Sequence, residues 1–149
     1  MVQVSSTRDI PGVSPREILE FVLDLDRYRE VDPKITEVGI IIGPDLSGRG
    51  SVELSSRLRF GPVTPDVQDI QLDRWARLRF TSAPRQRARL LFDLTSSFLC
   101  WPSERGTTVT HDYTLRFRLP VRWLEPLHRG WLQAEVEAEM DRLVAVMAR

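Results

Sequence analysis

The sequence predicts an α+β fold in which a curved sheet of seven antiparallel strands wraps around one long C-terminal helix, with two short helices after the first strand. Three observations support this prediction. Apolar and polar residues alternate over most of residues 35–119, the connections between these segments are short, and the apolar spacing becomes helical after Pro120. Because short connections join antiparallel neighbours, the central strands are expected to form a meander.

The composition is typical of one soluble globular domain over residues 1–149. The chain is 42% apolar and 28% charged, and 21 basic residues balance 21 acidic ones. Without a basic excess, nucleic acid is not an expected partner. The single cysteine, Cys100, cannot form an intrachain disulfide, which fits a reducing compartment. We therefore expect a cytoplasmic monomer or homodimer without an integral membrane segment.

The first elements are predicted from breakers and caps. Residues 2–10 indicate a strand that a Pro-Gly pair ends. Ser14 is a helix N-cap, with proline at the first helical position and Glu17 three residues after the cap. Asp26 is expected to cap a second short helix that runs through Tyr28 to Val31 and stops at Asp32-Pro33, because the residue before proline avoids helical geometry.

Six further strands follow from the two-residue period, and they cover residues 35–43, 49–60, 63–73, 75–82, 88–101 and 106–119. From Leu124 to Met147, apolar residues recur at three- and four-residue steps. This spacing predicts a long amphipathic helix at the end of the chain.

The inner face of the predicted sheet mixes large and small side chains. The odd positions of strand 106–119 are mainly apolar and include His111 and Tyr113, so both should point toward the helix. On neighbouring strands the inner positions include Ser56, Ala76, Ser96 and Cys100, all of which remove volume. This mixture predicts an internal cavity with apolar walls and a few polar groups. The alternative is that large residues elsewhere fill the space.

The residues expected to bind a ligand in this cavity are Leu54, Ser56, Leu58, Leu78, Phe80, Phe92, Ser96, Phe98 and Trp131, beside His111 and Tyr113. A histidine inside an apolar face changes charge near neutral pH, so His111 is a candidate general base or ligand anchor. The alternative is a core histidine hydrogen-bonded to Tyr113, Ser96 or the backbone. The tyrosine offers a hydroxyl donor, although many buried tyrosines only pack.

Other features carry weaker expectations. Tyr28, Trp123, His128 and Trp131 are candidates for the rim of the cavity, but core packing is favoured for the tryptophans and a solvated helix face for His128. Six arginines between residues 74 and 89 form a basic patch, which is either solvated surface or a docking site for an acidic carrier protein, an anionic membrane or another partner. No metal site and no cofactor motif is recognised.

Several segments carry a family resemblance. Residues 4–10, the run from Ser14 to Pro33, the Gly-Thr-Thr-Val of residues 106–109 and the terminal helix resemble the START-like (SRPBCC) superfamily, and more narrowly its polyketide cyclase/dehydrase branch. The resemblance spans nearly the whole chain. It implies a helix-grip fold with a deep hydrophobic cavity between sheet and helix, but it specifies function poorly because this scaffold serves cyclases, carriers and receptors.

The resemblance implies binding of a hydrophobic small molecule and, in an enzyme, aldol cyclisation or dehydration of a poly-keto substrate. His111 would then transfer the proton and Tyr113 would donate a hydrogen bond to the carbonyl or enolate. Cyclases of the branch also use a cavity arginine, whereas alternation places Arg57 and Arg59 on the outer face. The alternatives are a non-catalytic carrier of a lipid, quinone or apolar metabolite, and a partner-binding module that uses the basic patch.

Overall fold

The computed structural model describes residues 1–83 and 91–149, and it has the predicted order of elements. The strands are β1 (Val2–Pro11), β2 (Ile35–Ile42), β3 (Arg49–Ser56), β4 (Thr64–Asp73), β5 (Arg77–Ser82), β6 (Phe92–Pro102) and β7 (Gly106–Phe117). The helices are α1 (Pro15–Leu23), α2 (Leu25–Tyr28) and α3 (Glu125–Met147), which follows a 3₁₀ turn at Arg122–Leu124. One antiparallel sheet has the order β1-β7-β6-β5-β4-β3-β2, which confirms the predicted fold class.

The helices after β1 begin at side-chain caps. The Ser14 hydroxyl accepts from the Glu17 N–H at 3.2 Å, and the Glu17 carboxylate accepts from the Ser14 N–H at 2.7 Å. The expectation that Asp26 caps the second helix was wrong. Asp24 is its N-cap, because the Asp24 carboxylate accepts from the Arg27 N–H at 3.4 Å, and Asp26 lies in the first turn.

Several strands end earlier or begin later than predicted. β3 stops at Ser56, the last residue paired with β4, and the following connection turns at Gly61, whose φ is 99°. Pro120 has no N–H for a ladder, and β7 ends three residues before it. In consequence Phe60 and Leu119, expected on inner positions, are exposed. Ala76 also lies in an exposed turn, because β5 begins only at Arg77. Ala88 and Leu90, predicted at the start of β6, lie outside the described residues.

The core between the sheet and α3 has two parts. Tyr28, Phe98, Met140 and Leu143 belong to the larger cluster, beneath α1, α2 and the second half of α3. The smaller cluster surrounds the first half of α3 and includes Leu94, Tyr113, Leu132 and Val136. No helix in the described part of the chain is long and apolar enough to cross a membrane.

Candidate functional site

A cavity of about 50 Å³ lies where the two core clusters meet. Side chains from α1, α2, the segment before β2, the inner face of the sheet and α3 line it: Val22, Leu25, Tyr28, Asp32, Lys34, Ile35, Leu54, Ser56, Gln68, Phe80, Leu94, Ser96, Phe98, Tyr113 and Glu139. Pockets for small molecules usually measure about 300–1,000 Å³. In this conformation the cavity has room for a few water molecules, each of which needs about 10–15 Å³.

Glu139 is the acidic group on the α3 side of the cavity, and it is fully buried. The Tyr28 hydroxyl donates to Glu139 Oε1, and Lys34 Nζ donates to Oε2 at 3.2 Å. Burial and the charge of Asp32 raise the pKa of Glu139 to about 8, although Lys34 and Tyr28 act in the opposite direction. A carboxyl group with this pKa can take up or release a proton near neutral pH.

Lys34 is the one lysine among 21 basic residues, and it is buried in the wall of this cavity. Its Nζ lies 2.8 Å from Asp32 Oδ1 and 5.6 Å from the centre of the Tyr113 ring. Burial opposes the charged form, but the carboxylates of Asp32 and Glu139 outweigh it and raise the pKa of Lys34 above its ordinary value. The cavity wall therefore carries a permanent positive charge.

His111 lies behind the cavity wall and is 1% exposed. Its ring stacks on Phe98 with 4.0 Å between ring centres, and Nε2 is 2.9 Å from the Ser96 hydroxyl. Its Nδ1 is 3.4 Å from Glu139 Oε1, without the geometry of a hydrogen bond. Burial and the charge of Lys34 lower the pKa of His111 to about 3, so the imidazole is neutral at physiological pH.

Tyr113 forms part of the cavity wall on the β7 side. Its ring meets the His111 ring edge-to-face, with 6.0 Å between centres, and burial raises the pKa of the phenol. Among the described residues its hydroxyl has no hydrogen-bond partner. The hydroxyl is thus a free donor beside the Lys34–Glu139 pair.

Five of the predicted ligand-binding residues line this cavity, namely Leu54, Ser56, Phe80, Ser96 and Phe98. Four others do not. Leu78 is sealed in the larger core cluster. Phe92, Leu58 and Trp131 belong to or pack against the smaller cluster, in part because Leu58 lies beyond the end of β3.

The residues considered for the rim occupy different places from those expected. Tyr28 is buried at the cavity, whereas Trp123 is 68% exposed. The expectation of a solvated His128 was wrong, because its side chain is 1% exposed. The His128 imidazole packs against the rings of Phe117 and Trp131. Its Nδ1 donates a hydrogen bond to the Leu124 carbonyl at 2.9 Å.

Sequence reasoning missed the charged members of the site. Glu139 lies between the apolar positions of α3 in the sequence, yet it follows Leu132 by seven residues, which is almost two full turns and therefore the same face. A lone lysine in an arginine-rich chain was a second signal. The cation at the cavity is this lysine, while Arg57 and Arg59 are exposed on the connection after β3.

Other chemistry is limited in the part of the chain that the structure describes. No group of three or more His, Cys, Asp or Glu side chains there is arranged to hold a metal ion. Burial raises the pKa of the Cys100 thiol to about 12, so it is not a reactive thiolate. Arg85, Arg87 and Arg89, the centre of the predicted basic patch, lie outside the described residues.

The chain is similar to several solved structures. It matches TTHA0849 from Thermus thermophilus with 20% identity and a TM-score of 0.70, over 98% of this chain and 97% of the other. A START superfamily protein from Mycobacterium smegmatis matches with 19% identity and a TM-score of 0.70, over 97% and 98%. The Zhui aromatase/cyclase from a Streptomyces species matches with 16% identity and a TM-score of 0.65, over 99% and 93%. At these identities, the matches show the fold.

Sequence comparison gives the family. A search of the curated proteins finds no significant match. The family model described as "Polyketide cyclase / dehydrase and lipid transport" matches residues 1–148. The chain therefore belongs to this polyketide cyclase/dehydrase and lipid transport family.

Proposed function

We propose that the protein binds a hydrophobic small molecule that carries carbonyl groups, between the sheet and α3, and promotes its aldol cyclisation or dehydration. The observation that carries this proposal is Glu139, a buried carboxyl group on the cavity wall whose pKa is raised to about 8. General bases and acids work best when their pKa lies near the working pH.

Each polar group of the wall has a role in this chemistry. Glu139 removes a proton from the carbon beside one carbonyl, and the resulting enolate carbon attacks a second carbonyl. Lys34 and the Tyr113 hydroxyl stabilise the enolate oxygen. Glu139 returns its proton to the new alkoxide, and loss of water from the aldol completes a dehydration. His111 is a positioning residue in this scheme. Its Nδ1 packs 3.4 Å from Glu139 Oε1, and its Nε2 forms a hydrogen bond with the Ser96 hydroxyl.

The cavity must enlarge before a ligand of this kind can enter. Leu58 and Trp131 pack against the smaller core cluster, to which Leu94 and Tyr113 of the cavity wall also belong. Movement of the Leu58 and Trp131 side chains would extend the cavity toward the start of α3. The predicted contacts of Leu58, Phe92 and Trp131 with a ligand belong to such an enlarged state, whereas Leu78 would remain behind the wall.

Turnover of a synthetic poly-β-keto thioester, followed by mass spectrometry of the products, tests the catalytic proposal. Glu139→Gln keeps the size of the side chain but cannot transfer the proton, and it should lower turnover by at least about a hundredfold. His111→Gln should lower turnover less, with substrate binding retained. Glu137→Gln is the matched control, because Glu137 is exposed on the same helix. Full turnover by Glu139→Gln would end the proposed mechanism.

A carrier of an apolar metabolite is the second candidate. The charged groups of the wall pair mainly with one another, which leaves the Tyr113 hydroxyl free to bind a polar head group. A carrier needs affinity without transition-state stabilisation. Native mass spectrometry of freshly purified protein, with extraction of any bound molecule, would then find an unchanged ligand. Tyr113→Phe should weaken its binding, and no product should form from keto substrates.

A further inference from the structure

One end of the molecule exposes a group of large apolar side chains. They lie on the connection after β3, just before β6, and on the segment from the end of β7 to the first turn of α3. We call this group the apolar end, and it consists of Phe60, Val63, Leu91, Leu119, Trp123 and Leu127. Leu119 and Trp123 are 78% and 68% exposed. Isolated exposed apolar residues are common on proteins, whereas contiguous groups mark interaction surfaces.

Contacts between the three segments bring these side chains together. Arg59 Nη1 donates to the Leu127 carbonyl at 3.1 Å, which fastens the connection after β3 to the start of α3. The Phe60 ring meets the buried His128 ring edge-to-face, 5.7 Å between centres. The Arg118 N–H donates to the Leu91 carbonyl at 2.8 Å, which joins the start of β6 to the end of β7.

The same end of the protein is positively charged. Arg57, Arg59, Arg122 and Arg129 are exposed, and none of them forms an ion pair with a described residue. The nearby carboxylate of Glu125 is buried and accepts from the Phe117 N–H at 3.0 Å, so it presents little negative charge outward. Exposed arginines without an ion pair to a described residue therefore lie on the same chain segments as the protruding apolar side chains.

We propose that the apolar end docks on the surface of an anionic lipid membrane. Tryptophan and leucine side chains are stable at the boundary between headgroups and acyl chains, and arginines beside them attract negatively charged headgroups. The apolar side chains protrude from separate connections, which suits insertion into a deformable lipid surface. The docking requires no assumption about what the cavity binds or whether it is catalytic.

The location also relates the docking surface to the interior. Val121 and Leu124 follow Leu119 and flank Trp123, and they pack against the smaller core cluster. That cluster contributes Leu94 and Tyr113 to the cavity wall. A membrane at the apolar end would therefore lie at the side toward which the cavity can enlarge, and an apolar ligand would have a short path between lipid and cavity.

Co-sedimentation with vesicles tests the proposal. We expect binding to phosphatidylcholine vesicles that contain phosphatidylserine, little binding to phosphatidylcholine alone, and release as salt is raised. The double variant Leu119→Ser, Trp123→Ser should lower the partition coefficient at least about tenfold. The double variant Ile40→Ser, Ile42→Ser is the control, because it removes two residues of β2 that are 65% and 61% exposed. Its partition should be unchanged.

Three results would overturn the proposal: no binding to the anionic vesicles, equal loss in the two double variants, or no effect of Arg122→Gln with Arg129→Gln. Salt-sensitive binding to the vesicles that does not need Leu119 and Trp123 would also overturn it, since attraction between basic residues and headgroups does not require the apolar end. Circular dichroism should show that each variant is folded. Quenching of fluorescence by brominated lipid, lost in Trp123→Phe, gives an independent readout of insertion.

Discussion

Lys34 places a positive charge inside the protein where the chain elsewhere uses only arginine. The ammonium group contacts carboxylates from two different elements, Asp32 before β2 and Glu139 on α3. A guanidinium is larger and planar, so an arginine at this position would not fit the same compact arrangement without displacing its neighbours. The lysine thus joins a connection after the short helices to the long helix.

Replacing Lys34 by methionine should destabilise the protein by about 3 kcal/mol, because the change leaves two buried carboxyl groups without their cation. Urea denaturation measures this loss. Arg105→Met is the control, since Arg105 is exposed and forms no ion pair with the described residues. A loss below about 1 kcal/mol for Lys34→Met would show that the pair contributes little beyond a methionine in the same space.

The sequence indicated the burial of some residues near the cavity and not of others. Alternation along residues 106–119 predicted that His111 and Tyr113 point inward, because both share parity with apolar neighbours, and both are buried. The burial of Glu139 could be predicted only from its position on the apolar face of α3, because its polarity alone indicates an exposed side chain. Nothing in the local sequence of Asp32 and Lys34 indicates burial, since the neighbours of that segment come from α3 and β7.

The α1 helix depends on its reciprocal cap at the element scale. Ser14→Ala removes the acceptor for the Glu17 N–H and should lower the free energy of unfolding by about 1 kcal/mol. Thermal or urea denaturation checks this value. Ser5→Ala on β1 is the matched control, because that serine is exposed and its hydroxyl forms no hydrogen bond with a described residue. Equal losses in both variants would contradict a capping role.

The sequence predicted the elements better than their ends. Alternation and helical spacing depend on many residues, so they survive one irregular position. The end of β3 depends instead on where β4 stops pairing, which is a property of two segments. The same reason explains why Phe60 is exposed. Its even position in the alternation indicated the inner face, but it follows the end of β3 at Ser56 and is not part of the sheet.

Two buried groups should control how the stability of the whole molecule depends on pH. The pKa of Glu139 rises from 4.5 to about 8 on folding, so its contribution is full below 4.5 and is lost as pH rises through 8. The pKa of His111 falls from 6.5 to about 3, so its contribution is full above 6.5 and is lost as pH falls through 3. Between pH 4.5 and 6.5 the contribution of Glu139 to stability falls as pH rises, while that of His111 increases, so the two changes cancel.

We therefore expect a plateau of stability between pH 4.5 and 6.5 and a fall of about 1 kcal/mol per pH unit from 6.5 toward 8. Urea denaturation across this range measures it. Glu139→Gln should remove the fall on the alkaline side, whereas Glu137→Gln should leave the profile unchanged. A fall that persists in Glu139→Gln would assign it to another group.

The size of the cavity is the property that the sequence left open. Small residues such as Ser56 and Ser96 predicted a space, and both line it. Its volume of about 50 Å³ depends on how side chains from five places in the chain fill the remainder. Tyr28 and Lys34 also line it, and the strand pattern gives no signal of either because both lie outside the strands.

Because Lys34 is buried, the chemical reactivity of its amine can report internal motion of the protein. Besides the terminal amine, Lys34 carries the only primary amine in the sequence. An amine-acylating reagent can reach that nitrogen only when the surrounding side chains part. The rate of acylation at Lys34, followed by peptide mass spectrometry, would measure how often the side chains around Lys34 part enough to admit the reagent and to let the ammonium group lose its proton.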